Sequence, residues 1–398
     1  MRGIDVVVVG AGAAGMICAW AAGEAGQRVL LIDHATKLAE KIRISGGGRC
    51  NFTNREVTAK NFISGNPDFC RSALAAFSEQ DFIDLVRQHG IAWHEKHRGQ
   101  LFCDNSSDQI IQMLKSLCDR AQVQWRMPCQ VQEIRPTEGG FVLQTTDGPI
   151  HTKRVVIATG GTALPQIGAT DFGLRIARQF GLRVVEPRPA LVPLKFDAQF
   201  WQPFSQLAGL ALEVEIAVAG KPARQTFLED MLFTHRGLSG PAILQISSYW
   251  QPGESISINL APNLSVADAL ILKKSGTKQQ LSTVLAELWP KRLADAWLGE
   301  DGRRKLAEWS DKSLRALSQQ IHAWAVQPSG TEGFKKAEVM LGGVDTDELD
   351  PRTLQSRRVP GLHFIGEVVD VTGWLGGYNF QWAWSSGVAC GRALATPS

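Results

Sequence analysis

The sequence predicts an α/β protein, a Rossmann-like nucleotide-binding domain interrupted by an inserted domain. Three observations predict it. The first 33 residues read strand, glycine turn, helix, strand, acid. The last 40 residues repeat a strand, glycine turn and helix. Between them, prolines at 187, 189 and 193 mark a change of pattern. A chain of 398 residues exceeds the roughly 100–200 residues of one domain, so an insertion is expected on length as well.

Ile4–Val9 is a continuous apolar, β-branched run, as in strands buried on both faces of a parallel sheet. Gly10-Ala11-Gly12-Ala13-Ala14-Gly15 follows at once, and residues 13–22 are Ala-rich and favour helix. Val29–Ile32 reads as the next strand and runs into Asp33, eighteen residues after Gly15. Gly10 permits a tight turn, Gly12 lets a pyrophosphate approach the backbone, and Gly15 lets the helix lie on the strand. The N–H groups at the helix start, at Ala13 and Ala14, favour phosphate. Asp33 would accept from ribose hydroxyls. This unit alone leaves FAD and NAD(P) both open.

The densest polar stretch is Lys41 to Asn54, which holds Arg43, Ser45, Gly46, Gly47, Gly48, Arg49, Cys50 and Asn51. Consecutive glycines cost backbone entropy, and their use is close approach to a ligand or a nest of N–H donors. The flanking Lys41 and Arg49 suit a phosphate or a substrate anion. Cys50 is either a packing residue or a thiol that Arg49 activates.

Residues 69–89 predict one amphipathic helix and Asp108–Arg120 another. Residues 130–134, 141–145 and 154–158 read as strands, with Val131 at the head of the first taken as a cofactor contact. The third enters Thr159-Gly160-Gly161, at the strand ends where open α/β sheets bind ligands. From about residue 190 strands are expected at 212–217 and 255–260, with helices at 266–272 and 278–298. This stretch, residues 190–336, carries 16 Lys and Arg against 14 Asp and Glu, which leaves no polyanion footprint. It holds six of the twelve tryptophans, which suit a packed core better than base stacking. His235, in a polar turn, is left between ligand and structural residue.

Residues 361–365 read as a strand that enters Gly366-Glu367 and Asp370. Gly376-Gly377-Tyr378-Asn379 then precedes a helix over residues 382–394. A carboxylate there suits ribityl hydroxyls, and the helix start suits a ring that gathers negative charge on reduction. Sites at both ends of the chain suit one long cofactor, FAD. The absence of a second G-x-G-x-x-G leaves NAD(P)H as a transient donor.

These strings carry a resemblance. The chain resembles the BaiN/RdsA-type (YhiN-like) FAD-dependent oxidoreductases, glutathione-reductase-like flavoproteins, over nearly its whole length. The specific strings are Ser45 to Asn54 and Gly366 to Gly387, with Phe233 to Pro241 in support. Gln100, Cys103 and Met340 stand where Arg, Pro and Thr would be usual. The resemblance implies an FAD-binding domain over residues 1–190 and 336–398, and an inserted domain over 191–335 with a small β-barrel and helices. It implies bound FAD and reduction of a C=C bond with hydride from NAD(P)H. The foremost expectation is uridine to dihydrouridine in an unfolded or single-stranded segment of 23S rRNA, with Cys50 as proton donor. A reductase of a small unsaturated metabolite and a non-catalytic redox-sensing flavoprotein are the alternatives.

Net charge is +3, far from a polybasic binder. No apolar run approaches the roughly 18 residues of a membrane span, and the apolar start is short for a signal peptide. Seven cysteines without a C-x-x-C pair argue against structural zinc and disulfides, so a cytoplasmic location is expected. Oligomeric state is not legible.

Overall fold

The structure, a computed structural model, describes residues 3–220 and 225–395. The chain divides into two compact units, residues 1–189 with 338–398, and residues 190–337.

The first unit opens with β1 (Ile4–Val9), α1 (Ala13–Glu24) and β2 (Val29–Ile32). Then come α2 (Glu40–Ile44), β3 (Asn51–Asn54) and β4 (Phe62–Ile63). The helix expected over 69–89 is two, α3 (Arg71–Ala76) and α4 (Glu79–Gln88). The break is chemical. Ser78 caps α4 by accepting from Asp81 N, and the Asp81 carboxylate accepts from Ser78 N. This reciprocal capping box starts a new helix where apolar periodicity alone reads straight through.

β5 (Trp93–Glu95) and β6 (Gln100–Cys103) follow, then α5 (Asp108–Arg120) and β7 (Gln124–Arg126). An antiparallel meander is made by β8 (Val131–Thr137), β9 (Gly140–Thr145) and β10 (Gly148–Ile157). α6 (Phe172–Gln179) and β11 (Val184–Ala190) lead out of this part.

The second unit contains β12 (Leu194–Lys195), α7 (Ala198–Trp201), β13 (Ala211–Val218), β14 (Phe227–Phe233) and β15 (Gly237–Ser239). It continues through α8 (Pro241–Ser247), β16 (Ile256–Asn259) and α9 (Val266–Lys274). The helix expected over 278–298 is α10 (Leu281–Leu285) and α11 (Lys291–Leu298), parted at Pro290, which lacks the N–H a continuous helix needs. α12 (Asp311–His322), β17 (Trp324–Val326) and β18 (Gly330–Thr331) complete it.

Its sheet runs β17-β16-β13-β14-β15-β12-β18. The two end strands are separated by only residues 327–329. Four residue steps span at most about 14 Å, whereas seven flat strands are about 29 Å wide. The sheet therefore curls into a small barrel. A cluster of the rings of Phe196, Trp201, Phe204, Phe233 and Trp324 lies beside it, with neighbouring centroids 4.8–6.5 Å apart.

The chain returns to the first unit with β19 (Val339–Val344), β20 (Leu362–Phe364), β21 (Thr372–Gly373) and α13 (Tyr378–Ala393). The main sheet has the order β7-β2-β1-β10-β9-β8, with β20 also on β10. Strands β7, β2, β1, β10 and β20 are parallel neighbours. The register places Val9 beside Ile32 and Ile157, and Ile157 beside Phe364. The segments beginning at Gly10, Asp33, Ala158 and Ile365 therefore leave one edge of the sheet together.

α13 lies on α1. A Cβ at Gly387 would stand 2.5 Å from Ile17 Cγ2, and one at Gly391 would stand 2.7 Å from Cys18 O. Two glycines four apart share a helix face and let the backbones approach. All seven cysteines are free and buried.

Candidate functional site

The site is built at that carboxyl edge. Gly10 has φ +110°, and a Cβ on it would stand 2.4 Å from Ala158 O. A Cβ on Gly15 would stand 1.8 Å from Gly10 O. Both glycines are fixed by the protein's own packing. Gly12 differs, since a Cβ there meets nothing within 4 Å. It is the N-cap of α1, with no side-chain cap and no acid in the first turn. The N–H groups that follow, at Ala13 and Ala14, are thus left to a ligand.

Asp33 is held ready. Its Oδ2 accepts from Ala11 N at 2.7 Å and its Oδ1 from Ala35 N at 2.8 Å. Cys129 N donates to Asp33 O at 2.7 Å, which brings the head of β8, and buried Val131, beside the acid. Thr159 follows β10, and its Oγ1 is buried with no partner. That hydroxyl faces α6, since a Cβ on Gly173 would stand 2.5 Å from it.

The second glycine cluster forms a tight turn. Gly46, Gly47 and Gly48 have φ of +58°, +65° and +83°. A Cβ on Gly46 would strike the Phe102 ring at 2.8 Å, while Gly47 and Gly48 face open space. Ser45 Oγ donates to Ile42 O at 2.8 Å and closes α2 into the turn.

The two specific strings interlock through residues more than 320 positions apart. Asn54 Nδ2 donates to Gly376 O at 3.0 Å. Asn51, with its amide turned to suit its neighbours, accepts from Gly377 N at 3.1 Å. Thr53 Oγ1 donates to Gln381 Oε1 at 2.7 Å, and Trp384 Nε1 donates to Phe52 O at 2.8 Å. Gln381 Nε2 and Ser385 Oγ both donate to Phe77 O, at the break between α3 and α4. Gly377, with φ +94°, is the N-cap of α13, again with no side-chain cap. Any Cβ there would stand 2.4 Å from Thr53 O. The helix begins at Tyr378, four residues earlier than its apolar pattern suggests. Thr53, Gln381 and Ser385 hold the two strings together; sequence reasoning included them in those strings but gave them no role. For Gln381 and Ser385 the signal was a polar residue in a largely apolar helix, whereas Thr53 lies in the polar stretch already singled out.

Glu367 is the junction of three segments. Its Oε2 accepts from Lys41 Nζ at 2.5 Å and its Oε1 from Met340 N at 3.0 Å. A Cβ on Gly161 would stand 3.0 Å from Glu367 Oε1, so the Gly160-Gly161 turn lies against this carboxylate. Met340 contributes a backbone N–H, which any residue but Pro supplies, so the departure at this position leaves the contact intact. Gly366, with φ +69°, receives Trp382 Nε1 on its carbonyl at 3.0 Å and gives its N–H to Ser386 Oγ at 3.1 Å.

Other expected contacts are engaged by the protein itself. Asn379 closes a turn, accepting from Gly373 N and donating to Gly373 O, both at 2.8 Å. Tyr378 packs edge-on to Phe62. Asp370 is buried and accepts from Gly65 N at 3.0 Å, and burial pushes its carboxyl up. Arg43 pairs with Asp108. Arg49 is exposed at the end of the glycine turn.

Cys50 overturns an expectation. It is fully buried, and burial pushes its thiol up, against the lowering foreseen from Arg49. Arg49 points to solvent while the thiol faces the interior, where a thiolate is poorly solvated.

These features fit an elongated dinucleotide: an open cradle at Gly12, an acid at the end of β2, and a second uncapped helix start at Gly377. Comparison with known proteins agrees. The model of the HI0933-like protein Rossmann domain matches residues 4–393. The chain is 50% identical to the ribosomal RNA dihydrouridine synthase of Escherichia coli K12, over 99% of this chain and 98% of that one. It is 30% identical to a 3-dehydro-bile acid delta(4,6)-reductase of Clostridium scindens, over 98% of each. Among solved structures, 3-ketosteroid-delta4-(5alpha)-dehydrogenase from Rhodococcus jostii RHA1 superposes with a TM-score of 0.51. That match covers 99% of this chain and 97% of the other at 14% identity, a likeness of fold.

Proposed function

The chain belongs to the HI0933-like Rossmann family of FAD-dependent oxidoreductases, and from that premise we propose that it reduces uridine to dihydrouridine in ribosomal RNA. The observation that carries this reading is 50% identity to a ribosomal RNA dihydrouridine synthase across both chains, with the interlocked turns of the site present. The expected target is a single-stranded or unfolded segment of 23S rRNA, because a stacked, paired uracil does not reach a flavin held at a sheet edge.

The net reaction is uridine plus NAD(P)H plus a proton giving dihydrouridine plus NAD(P)⁺. When bound, FAD would supply two-electron transfer between the nicotinamide and the C5=C6 bond, for net addition of hydride at C6 and a proton at C5. The chain's residues bind and orient. The cradle at Gly12, with the N–H groups of Ala13 and Ala14, would take the pyrophosphate. Asp33 would take the adenosine ribose, with Val131 beside it. Glu367, fixed by Lys41 and Met340, would take ribityl hydroxyls, with Thr159 and Gly160 close by. The N–H groups after Gly377, and the open faces of Gly47 and Gly48, would meet the ring end.

The test is nucleoside mass spectrometry of rRNA from cells with and without the gene, together with purified protein, NAD(P)H and an unmodified rRNA fragment. Loss of dihydrouridine in the deletion and its formation in the purified system are expected. Unchanged dihydrouridine in the deletion overturns the reading. The bile acid reductase relative motivates a second reading, a reductase of a small enone. Steady NAD(P)H oxidation with such a compound, and none with RNA, would establish it.

A further inference from the structure

We propose that the small sheet β3–β6–β5 is the surface on which the RNA strand docks, a proposal that rests on the ribosomal RNA reading above. The sheet is antiparallel, with Trp93 opposite Cys103 and His94 opposite Phe102. Side chains alternate between its faces, and each face carries an aromatic ring under a cation. On one, the guanidinium carbons of Arg55 and Arg87 lie 5.3 and 5.5 Å from the Trp93 ring. On the other, Lys96 Nζ lies 4.2 Å from the Phe102 ring.

Phe102 is also the ring against which Gly46 packs, so this second face adjoins the glycine turn where Arg49 is exposed. The sheet is fixed to the ring end of the site. Cys103 N donates to Arg49 O at 3.0 Å, and the Asn54 amide reaches both Arg98 O and Gly376 O. Carboxylates are present, and their positions decide how much charge remains. Glu95 pairs with Arg55 at 2.8 Å, Asp84 with Arg87 at 3.1 Å and Asp104 with His94 at 2.6 Å. Each guanidinium has five N–H donors, so a single carboxylate leaves several for phosphate. Arg49 and Lys96 form no ion pair among the described residues.

Cations held over rings, on a sheet whose Phe102 face adjoins the loop that would receive the flavin ring, suit a partner with alternating phosphates and planar bases. An acidic protein surface would use the charges and leave the stacked arrangement without purpose. A single-stranded nucleic acid uses both. The barrel unit holds one such pair, Arg304 over Trp309 at 4.8 Å, but its charges nearly balance and Trp201, Trp250 and Trp289 are buried.

The experiment is a salt titration of a fluorescent single-stranded rRNA fragment that contains the target uridine, using FAD-loaded protein. The double variant Arg87→Gln with Lys96→Gln removes two cations outside the cofactor contacts. For single strands each neutralised phosphate contributes about 0.7 to the slope of log K against log salt, so the slope should fall by about 1.4. At physiological salt the KM for RNA should rise about tenfold. The kcat at saturating RNA, the FAD content and anaerobic bleaching by NAD(P)H should stay at wild-type values. Lys96→Arg should keep the wild-type slope, which separates charge from misfolding. If wild-type protein forms dihydrouridine and the double variant keeps its slope and KM, the docking surface is overturned alone. If wild-type protein neither binds nor modifies the fragment, the substrate reading falls with it.

Discussion

The two units build their cores from different mixtures of side chains. In the barrel unit the core is dominated by bulk, with Trp201, Phe233 and Leu238 fully or almost fully buried among stacked rings. At the site of the first unit, buried rings such as Phe52, Trp382 and Trp384 are interleaved with small and polar groups. Thr53, Gln381, Ser385 and Ser386 are nearly inaccessible, and glycines touch other backbone at Gly15, Gly377 and Gly387. A bulky core tolerates exchange of one apolar residue for another of like volume. A core of backbone contacts and satisfied polar groups specifies one geometry, and a site that must hold a long ligand in register needs that.

The sharpest way to break this contrast uses one substitution at two glycines. Gly15→Ala places a methyl 1.8 Å from Gly10 O, so the helix must leave the strand. We expect no soluble, FAD-containing protein from it. Gly12→Ala places the same methyl in open space. That variant should fold with the wild-type melting temperature when stripped of flavin, while its FAD affinity falls about tenfold, which is about 1.4 kcal/mol. Equal behaviour of the two variants by thermal melt and flavin titration would show that Gly12 does not face the cofactor.

The next effect belongs to the barrel unit. Trp201 is 2% exposed, stacks on Phe196 at 4.8 Å and donates to Thr234 O at 3.0 Å. Trp201→Ala should destabilise that unit by about 4 kcal/mol, the usual cost of removing a large core aromatic. Hydrogen exchange should show lost protection in β13 and β14, with the flavin spectrum unchanged. Loss of FAD from a folded variant would remove the division of labour drawn here.

A buried histidine sharpens the comparison by pH. His363 on β20 donates from Nδ1 to Thr353 O at 3.1 Å, and its Nε2 has no partner. Burial pushes its pKa down from 6.5 to about 4. The folded state therefore favours the neutral ring. That preference is fully present above pH 6.5 and is lost as pH falls towards 4, because the unfolded chain takes up the proton first. The loss amounts to about 3 kcal/mol over that window. Denaturant titrations at pH 7 and pH 4.5 should show it for the first unit, and His363→Leu should remove that component of the slope.

How much of this was legible follows from the same contrast. The βαβ start, the Asp33 position and the Gly376-Gly377 turn were readable because backbone demands are written as glycine, and glycine is seldom placed without need. The breaks at Ser78 and Pro290 were readable too, from capping chemistry and from a missing N–H, had periodicity not been given precedence. The Lys41–Glu367 pair was not readable, because nothing local links residues 326 apart. The Thr53–Gln381 bond was hidden for the same reason. Closure of the barrel lay in the strand order, which emerges only once strands pair.

The smallest expected effect concerns Cys50, where sequence and structure disagree most. A cysteine after an arginine, inside a glycine-rich loop, suggests an activated thiol. The fold turns Arg49 outward and Cys50 inward, with φ +50° at the cysteine and no solvent access to its sulfur. A proton donor must touch the carbon it protonates, and a side chain with no accessible surface cannot do so while the site keeps this geometry. Alanine has the same backbone preferences to satisfy, so Cys50→Ala removes little beyond one buried sulfur. We expect a loss of about 1 kcal/mol, that of a methylene-sized group. The kcat and the pH profile of turnover should remain within about twofold of wild type, far short of the 10²-fold or greater loss typical of a missing general acid. A folded, fully FAD-loaded Cys50→Ala protein that reduces its flavin with NAD(P)H yet turns over a hundredfold more slowly would return the thiol to the chemistry. It would also require the Ser45–Gly48 turn to open during the cycle.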